Sequence, residues 1–134
     1  SVEAVVDATT IDTRVADRDA HLKSADFFDA AKYPEMTFKS TRVKKAGEGK
    51  LEVTGDLTIK GTTRPTTWEV SYSAPIKGPQ GEARRGFSAT TRINRKDFGL
   101  NWSKMVEAGP VVADTVDVTV DAEAVKAPAE DAKR

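Results

Sequence analysis

The chain has 134 residues, 38% hydrophobic and 31% charged, with 21 basic residues against 21 acidic and no cysteine. That length supports one domain with a core and not two, and the composition is that of a soluble globular chain rather than a disordered one. A formal net charge of zero gives no field to gather nucleic acid or an anionic membrane, the missing thiols exclude disulfides and thiolate metal sites, and no apolar run approaches the ~20 residues of a membrane helix.

The chain opens at Ser1, without a Met or a signal-peptide pattern, directly on the strand-like run Val2–Asp7. It reads as a chain from which an N-terminal piece has been removed. Residues 18–31 are the one stretch with helical character, because Leu22, Ala25 and Phe28 recur at spacings of three. The helix is expected to stop before Tyr33-Pro34, since a residue preceding proline avoids the α region. From Met36 the period switches to two. Met36–Ser40 alternates and Val43 continues the run; Gly47-Glu48-Gly49 signals a hairpin. Residues 51–60 give the cleanest alternation, with apolar residues or Gly at odd positions and Glu, Thr, Asp, Thr and Lys at even ones. One face of that strand is buried and the other wet.

Gly61 starts a turn expected to run through Pro65, after which Trp68, Val70 and Tyr72 alternate with Glu69, Ser71 and Ser73. Two prolines, two glycines and several charges make residues 75–85 a long hairpin loop. Phe87, Ala89, Thr91 and Ile93 define a further strand, and Val116, Val118, Val120 and Ala122 the last; residues 126–134 read as a solvated tail after a domain spanning 1–125. About six strands, short turns and one inserted helix point to an antiparallel sandwich or barrel. The apolar face mixes large residues (Phe38, Trp68, Tyr72, Phe87) with small ones (Ala4, Gly55, Ala74, Ala89). A small packed core and a barrel wall around an apolar hole both fit that mixture.

Asp17–Ser24, Asp26–Asp29, Tyr33-Pro34 and Thr37–Ser40 resemble the signature of the YceI family. So do Gly55–Thr63, Arg85–Ala89, Ile93–Gly99 and Val111–Asp121, all in order over roughly residues 1–125. The resemblance implies an all-β fold with one short helix: an antiparallel, up-and-down, lipocalin-like barrel of which about six of eight strands are present. It implies a long tunnel that binds a polyisoprenoid, an isoprenoid quinone or a similar amphiphile, without catalysis and with no cofactor beyond that lipid. It also implies a periplasmic or secreted setting and transient membrane contact. Family members begin with two more strands before the segment matching Val2–Thr13. Their absence here would leave two unpaired edges, to be closed by a missing N-terminal segment, by a strand-exchanged second copy or by rearrangement of the sheet itself.

On that resemblance the barrel wall is expected at Phe38, Leu57, Ile59, Trp68, Val70, Tyr72, Phe87, Ile93 and Val118, with Phe98 and Trp102 as an apolar lid. Ordinary core packing is the competing reading of each. His21, Phe28, Arg92 and Arg95 are expected at the rim or gate, the helix plugging one end. Arg92, Arg95, Lys96 and Asp97 would form either a polar rim for a lipid head group or a salt-bridged, solvated turn. His21 with Asp19 and Ser24 would sketch a hydrolase triad, but all three lie within six residues instead of converging from separate elements. A single histidine and no cysteine argue against zinc. Asp97-Phe98-Gly99 copies a kinase motif without its companion loops, and Asn101-Trp102-Ser103 fits a glycosylation sequon on three letters alone. The alternatives to a lipid carrier are a lipid-modifying enzyme and a structural or stress protein whose barrel is filled by its own side chains.

Overall fold

Alternating apolar and polar residues turn most of this chain into strands. The computed structural model describes residues 2–102, 105–106, 109–110 and 113–125. In chain order they form β1 (Glu3–Asp7), a 3-10 turn (Ala8–Thr10), α1 (Ala16–Lys23), β2 (Glu35–Gly47), β3 (Lys50–Ile59), β4 (Thr62–Tyr72) and β5 (Ile76–Lys77). There follow β6 (Ala83–Asn94), a second 3-10 turn (Arg95–Phe98), the short pair β7 (Met105–Val106) and β8 (Gly109–Pro110), and β9 (Thr115–Val125). The main sheet runs β1-β2-β3-β4-β6, every neighbour antiparallel, and β9 pairs the far side of β6. β5 continues the β4 side of β6 through Ile76–Arg84 and Lys77–Ala83. The result is an up-and-down sheet curled into a lipocalin-like half-barrel, with β1 and β9 at its edges.

One turn and one bulge set the register. Ile59 pairs with Thr62 across Lys60-Gly61, whose φ values are +52° and +75°. Positive φ at both central residues matches the twist of an antiparallel pair. Gly61 is also required for space, because a Cβ there would lie 2.7 Å from the Tyr33 ring. In β2 a bulge between Ser40 and Arg42 leaves Thr41 unpaired. The extra residue moves the inward-facing set from Met36, Phe38 and Ser40 to Val43 and Lys45, and bends the strand.

Three sequence expectations change. The helix ends at Lys23 rather than near residue 31, because the Ser24 N–H and hydroxyl both donate to the His21 carbonyl, at 3.1 and 2.6 Å. The chain then turns back, and the Phe28 and Ala30 N–H groups donate to the Leu22 and Lys23 carbonyls, at 3.0 and 2.9 Å. These bonds satisfy carbonyls that a helix end leaves unpaired. The turn after Gly61 is two residues long, and Pro65 lies inside β4 opposite Asp56. It is tolerated because β6 pairs β4 only along Glu69–Tyr72, so no ladder needs a donor on that side of Pro65. The 75–85 loop carries β5 and its ladder. The tail from 126 and Ser103 of the sequon lie outside the described residues.

The core gathers Phe38, Val53, Leu57, Ile59 and Trp68 from the sheet with Phe27, Phe98 and Leu100 from the turns around it. Phe38 and Trp68 meet edge to face with centroids 5.9 Å apart. The Trp68 indole N–H donates to the Thr66 hydroxyl at 2.9 Å, so this large ring is buried without an orphaned donor. Each such side chain contributes about 1.5–3 kcal/mol on burial. No described helix is long and apolar enough to cross a membrane.

Candidate functional site: the inner face of the half-barrel

Cross-strand partners share a face, so the registers define which residues line the concavity. Phe38 opposes Leu57, Val53 opposes Trp68, Leu51 opposes Val70, Val70 opposes Ala89 and Tyr72 opposes Phe87. Thr91 opposes Val118 and Ile93 opposes Val116; at the other edge Ala4 opposes Phe38 and Val6 opposes Met36. A largely apolar surface therefore crosses all six long strands. Its outer margins are wet: Val6 on β1 and Val120 on β9 are 47% and 45% exposed.

This inner face has two halves. In the first, Phe38, Leu57, Ile59 and Trp68 are buried, and Phe27, Phe98 and Leu100 fill the space above them. Leu22, Phe28, Met36, Ile93 and Trp102 pack around that cluster, so α1 and the turn after it plug this end. Beyond Trp68 the second half opens. Leu51, Val70 and Ala89 still pack against the margin of that cluster, and with Tyr72 and Phe87 they are half-buried there. Tyr72 and Phe87 lie 6.2 Å apart, and the Arg85 guanidinium sits 5.0 Å above the Tyr72 ring. A cavity of about 370 Å³ at this end is lined by Pro75, Ala83, Arg84, Arg85, Phe87, Ala124 and Val125. A second, of about 300 Å³, lies beside Ser71–Ser73, Gly86–Ser88 and Ala122.

Charge is sorted by face. Every carboxylate on the six long strands has the outward register: Glu3 and Asp7 on β1, Glu35 on β2, Glu52 and Asp56 on β3, Glu69 on β4, and Asp117, Asp121 and Glu123 on β9. The ionisable residues with the inward register are Lys45, Arg64, Lys77 and Arg85, all cations. Arg64 stands at the plugged end and donates to the Asp97 carbonyl at 3.1 Å.

The expected rim cations sit elsewhere. Arg92 has the outward register and pairs with Asp117 through bonds of 2.7 and 3.4 Å. That pairing raises the guanidinium pKa and holds the Asp117 carboxyl below its ordinary value. Arg95 is 4% exposed, and its guanidinium donates to the Leu100 carbonyl at 2.6 Å, the Ala113 carbonyl at 3.0 Å and Asp114 at 3.4 Å. It clamps the two ends of the segment between β6 and β9, with all three of its nitrogens engaged. Lys96 faces Asp114 at 3.3 Å, which makes this turn the salt-bridged, solvated one.

The histidine makes a different set of contacts from the triad sketched in the sequence. His21 Nε2 lies 3.0 Å from the Asp26 carboxylate, and its ring meets Phe27 and Trp102 edge-on at 4.9 and 4.8 Å. Asp19 instead accepts from the Thr13 hydroxyl and N–H, and those bonds hold its carboxyl below the usual value. The Ser24 hydroxyl is bonded to the His21 carbonyl. His21 thus fastens the plug to the sheet-end aromatics. Among the described residues no three His, Cys, Asp or Glu side chains gather as metal ligands.

Arg85 and Lys45 escaped the sequence reading. Arg85 carries the parity of Phe87, two residues on, and extending that alternation upstream finds it. Lys45 was hidden by the bulge at Thr41.

An antiparallel half-barrel plugged by a short helix and lined with apolar residues defines a barrel-type class of protein. The match to the YceI-like domain over residues 1–124 makes the assignment specific, and the chain belongs to that family. It is 50% identical over 99 residues to a UPF0312 protein of Vibrio parahaemolyticus, covering 74% of this chain and 52% of the relative. It is 42% identical over 125 residues to protein YceI of Escherichia coli O157:H7, covering 93% and 62%. The chain thus spans between half and two thirds of the length of these curated relatives. Among solved structures it resembles the Campylobacter jejuni YceI protein, with TM-score 0.84 and 28% identity over 94% of this chain and 72% of that one. It also resembles Burkholderia cenocepacia BcnA, with TM-score 0.79 and 27% identity over 91% and 72%.

Proposed function

We propose that this chain forms the greater part of a non-enzymatic carrier that holds one long apolar lipid, such as a polyisoprenoid or an isoprenoid quinone, along the inner face of the barrel. The observation that carries the reading is the largely apolar surface on one face of six strands, buried under the protein's own aromatics at one end and half-buried at the other. An open apolar concavity is the kind of surface that takes a ligand. The tail lies along Leu51, Val70, Tyr72, Phe87 and Ala89, and ends against the Trp68 side of the plug. Burial of an alkyl chain is worth about 0.8 kcal/mol per CH₂ relative to water. A lipid's other home is a bilayer, so the net gain is much smaller, and binding suited to exchange follows.

Holding a lipid out of water requires the space between β1 and β9 to be closed. The charged outward residues of both edge strands are all acidic, which disfavours edge-to-edge pairing with a second copy and favours a two-stranded segment of other sequence. The test is organic extraction of the natively purified protein, followed by mass spectrometry. An apolar chain at near one per protein is expected. An empty extract combined with no uptake of a fluorescent isoprenoid would remove the reading.

A further inference from the structure

We propose that α1 is a hinged gate at the plugged end of the half-barrel. It opens outward from a pivot at Ser24, with His21 as its latch, while the turn behind it stays fixed. The opening is a property of the chain itself. Its use, to let the far end of a long tail in and out, rests on the lipid-holding reading above.

The two parts of the plug are attached very unequally. In the turn, Phe27 and Ala30 are buried, the Lys60 ammonium donates to the Ala25 carbonyl at 2.8 Å, and the Tyr33 ring lies over Gly61. α1 has eight residues and none of them is buried. A helix shorter than roughly 12–15 residues is marginal in water unless packing holds it. Among the described residues, every hydrogen bond made by an α1 side chain ends on Thr13 or Asp26, just beyond the helix itself. Leu22 alone of its apolar residues packs against the core.

His21 joins the moving part to the fixed one. Its Nε2 lies 3.0 Å from the Asp26 carboxylate, and its ring meets both Phe27 and Trp102, which are themselves 5.2 Å apart. The side chain is still 39% exposed, so water reaches the latch. Ser24 marks the pivot: it is extended, at φ −76° and ψ 172°, and the Phe28 and Ala30 N–H groups hold the Leu22 and Lys23 carbonyls just before it. Segments with few buried contacts open well below the free energy of global unfolding, and hinges fall at the ends of elements. The inner face runs on beneath this gate through Met36, Phe38, Leu57 and Ile59. With α1 swung out, Leu22 and His21 no longer back Phe27 and Trp102, and that row is reached from water at its second end. A short tail fits the open half alone, so the gate governs the exchange of long tails and not of short ones.

The experiment uses the protein at its full natural length. In native-state amide exchange without lipid, the amides of Asp19–Lys23 are expected to be at least about tenfold less protected than those of Val53–Leu57, with little dependence on dilute urea. His21→Ala is expected to lower the protection of α1 by about tenfold more and to leave β3 unchanged. His21→Phe, which keeps the ring contacts, and Asp26→Asn, at an exposed position, should each do so in part, and they keep the test open if His21→Ala fails to fold. Transfer of farnesol and of the much longer solanesol from the protein to phosphatidylcholine vesicles is then followed by tryptophan emission. His21→Ala should speed the transfer of solanesol by about the factor that it loosens α1, with farnesol unchanged. Equal protection of α1 and β3 in the parent protein would overturn the gate. So would a loss of protection in His21→Ala that spreads through the sheet by the same factor, since His21 would then be ordinary packing. A loosened α1 with unchanged solanesol transfer would overturn its use as the passage. Failure of both alcohols to bind would remove the lipid reading, while the amide exchange would still decide whether α1 opens.

Discussion

The half of the sheet under α1 and the half beyond Trp68 are built from the same alternation of residues and end in different states. Under α1 the inward positions of β2, β3 and β4 meet a second layer, in which Phe27, Phe98 and Leu100 complete the packing. Beyond Trp68 the same strands continue with Leu51, Val70, Tyr72 and Phe87, which are only half-buried among the described residues. Alternation therefore specifies which way a side chain faces; whether it becomes core or wall depends on what the connecting turns bring over it. Stability resides in the first half, and the second is free to be specific.

Substitutions separate the two. Phe98→Ala, at 2% exposure, should destabilise by about 3–5 kcal/mol in urea unfolding, because the plug cannot collapse into the hole. Phe87→Ala, in the open half, should cost less than about 1.5 kcal/mol, yet abolish most uptake of a fluorescent isoprenoid. Equal losses of stability at the two positions would erase the distinction. A smaller effect is expected for Arg95→Met, which keeps much of the packing but leaves the Leu100 and Ala113 carbonyls without their donor. About 2–3 kcal/mol should be lost, with isoprenoid uptake retained because no wall residue moves.

The smallest effect is electrostatic. Asp7 and Asp19 have carboxyl pKa values held below 3.8 by hydrogen bonds from Thr9 and Thr13 around the segments flanking α1. A lowered folded-state value contributes stability that is present above 3.8 and is lost as pH falls through the lower value. Asp19→Asn should therefore be slightly less stable than the parent at neutral pH and indistinguishable well below 3.8. Paired urea titrations at several pH values check this.

Much of the sheet was legible because residues 51–60 alternate without interruption and one face of each long strand is wet. The direction of Arg92 and Arg85 was legible by the same rule, since one has the parity of Asn94 and the other that of Phe87. What defeated the rule was local. Thr41 inserts one unpaired residue and reverses the parity of the end of β2. The turns after Lys23 rest on the backbone bonds of Ser24 and on Asp29 at φ +48°, so a spacing of three placed the exposed Ala25 on a face it does not share with Leu22. The buried guanidinium of Arg95 is satisfied by carbonyls five and eighteen residues away, a closure that only the folded chain brings about.

The acidic outer rows of β1 and β9 also bear on how this protein behaves in a crowded solution. Neither strand has a neighbour on its outer side among the described residues. When edges from two molecules drift into register, Asp7 of one and Asp121 of the other add repulsion, while Glu3, Asp117 and Glu123 are already answered by Lys39, Arg92 and Arg84. At neutral pH the unpaired edge carboxylates are one local guard against edge pairing. As those groups take up protons, the edges lose their guard and the path to fibre-like stacking opens, so acidic storage is the condition under which this sheet should clump.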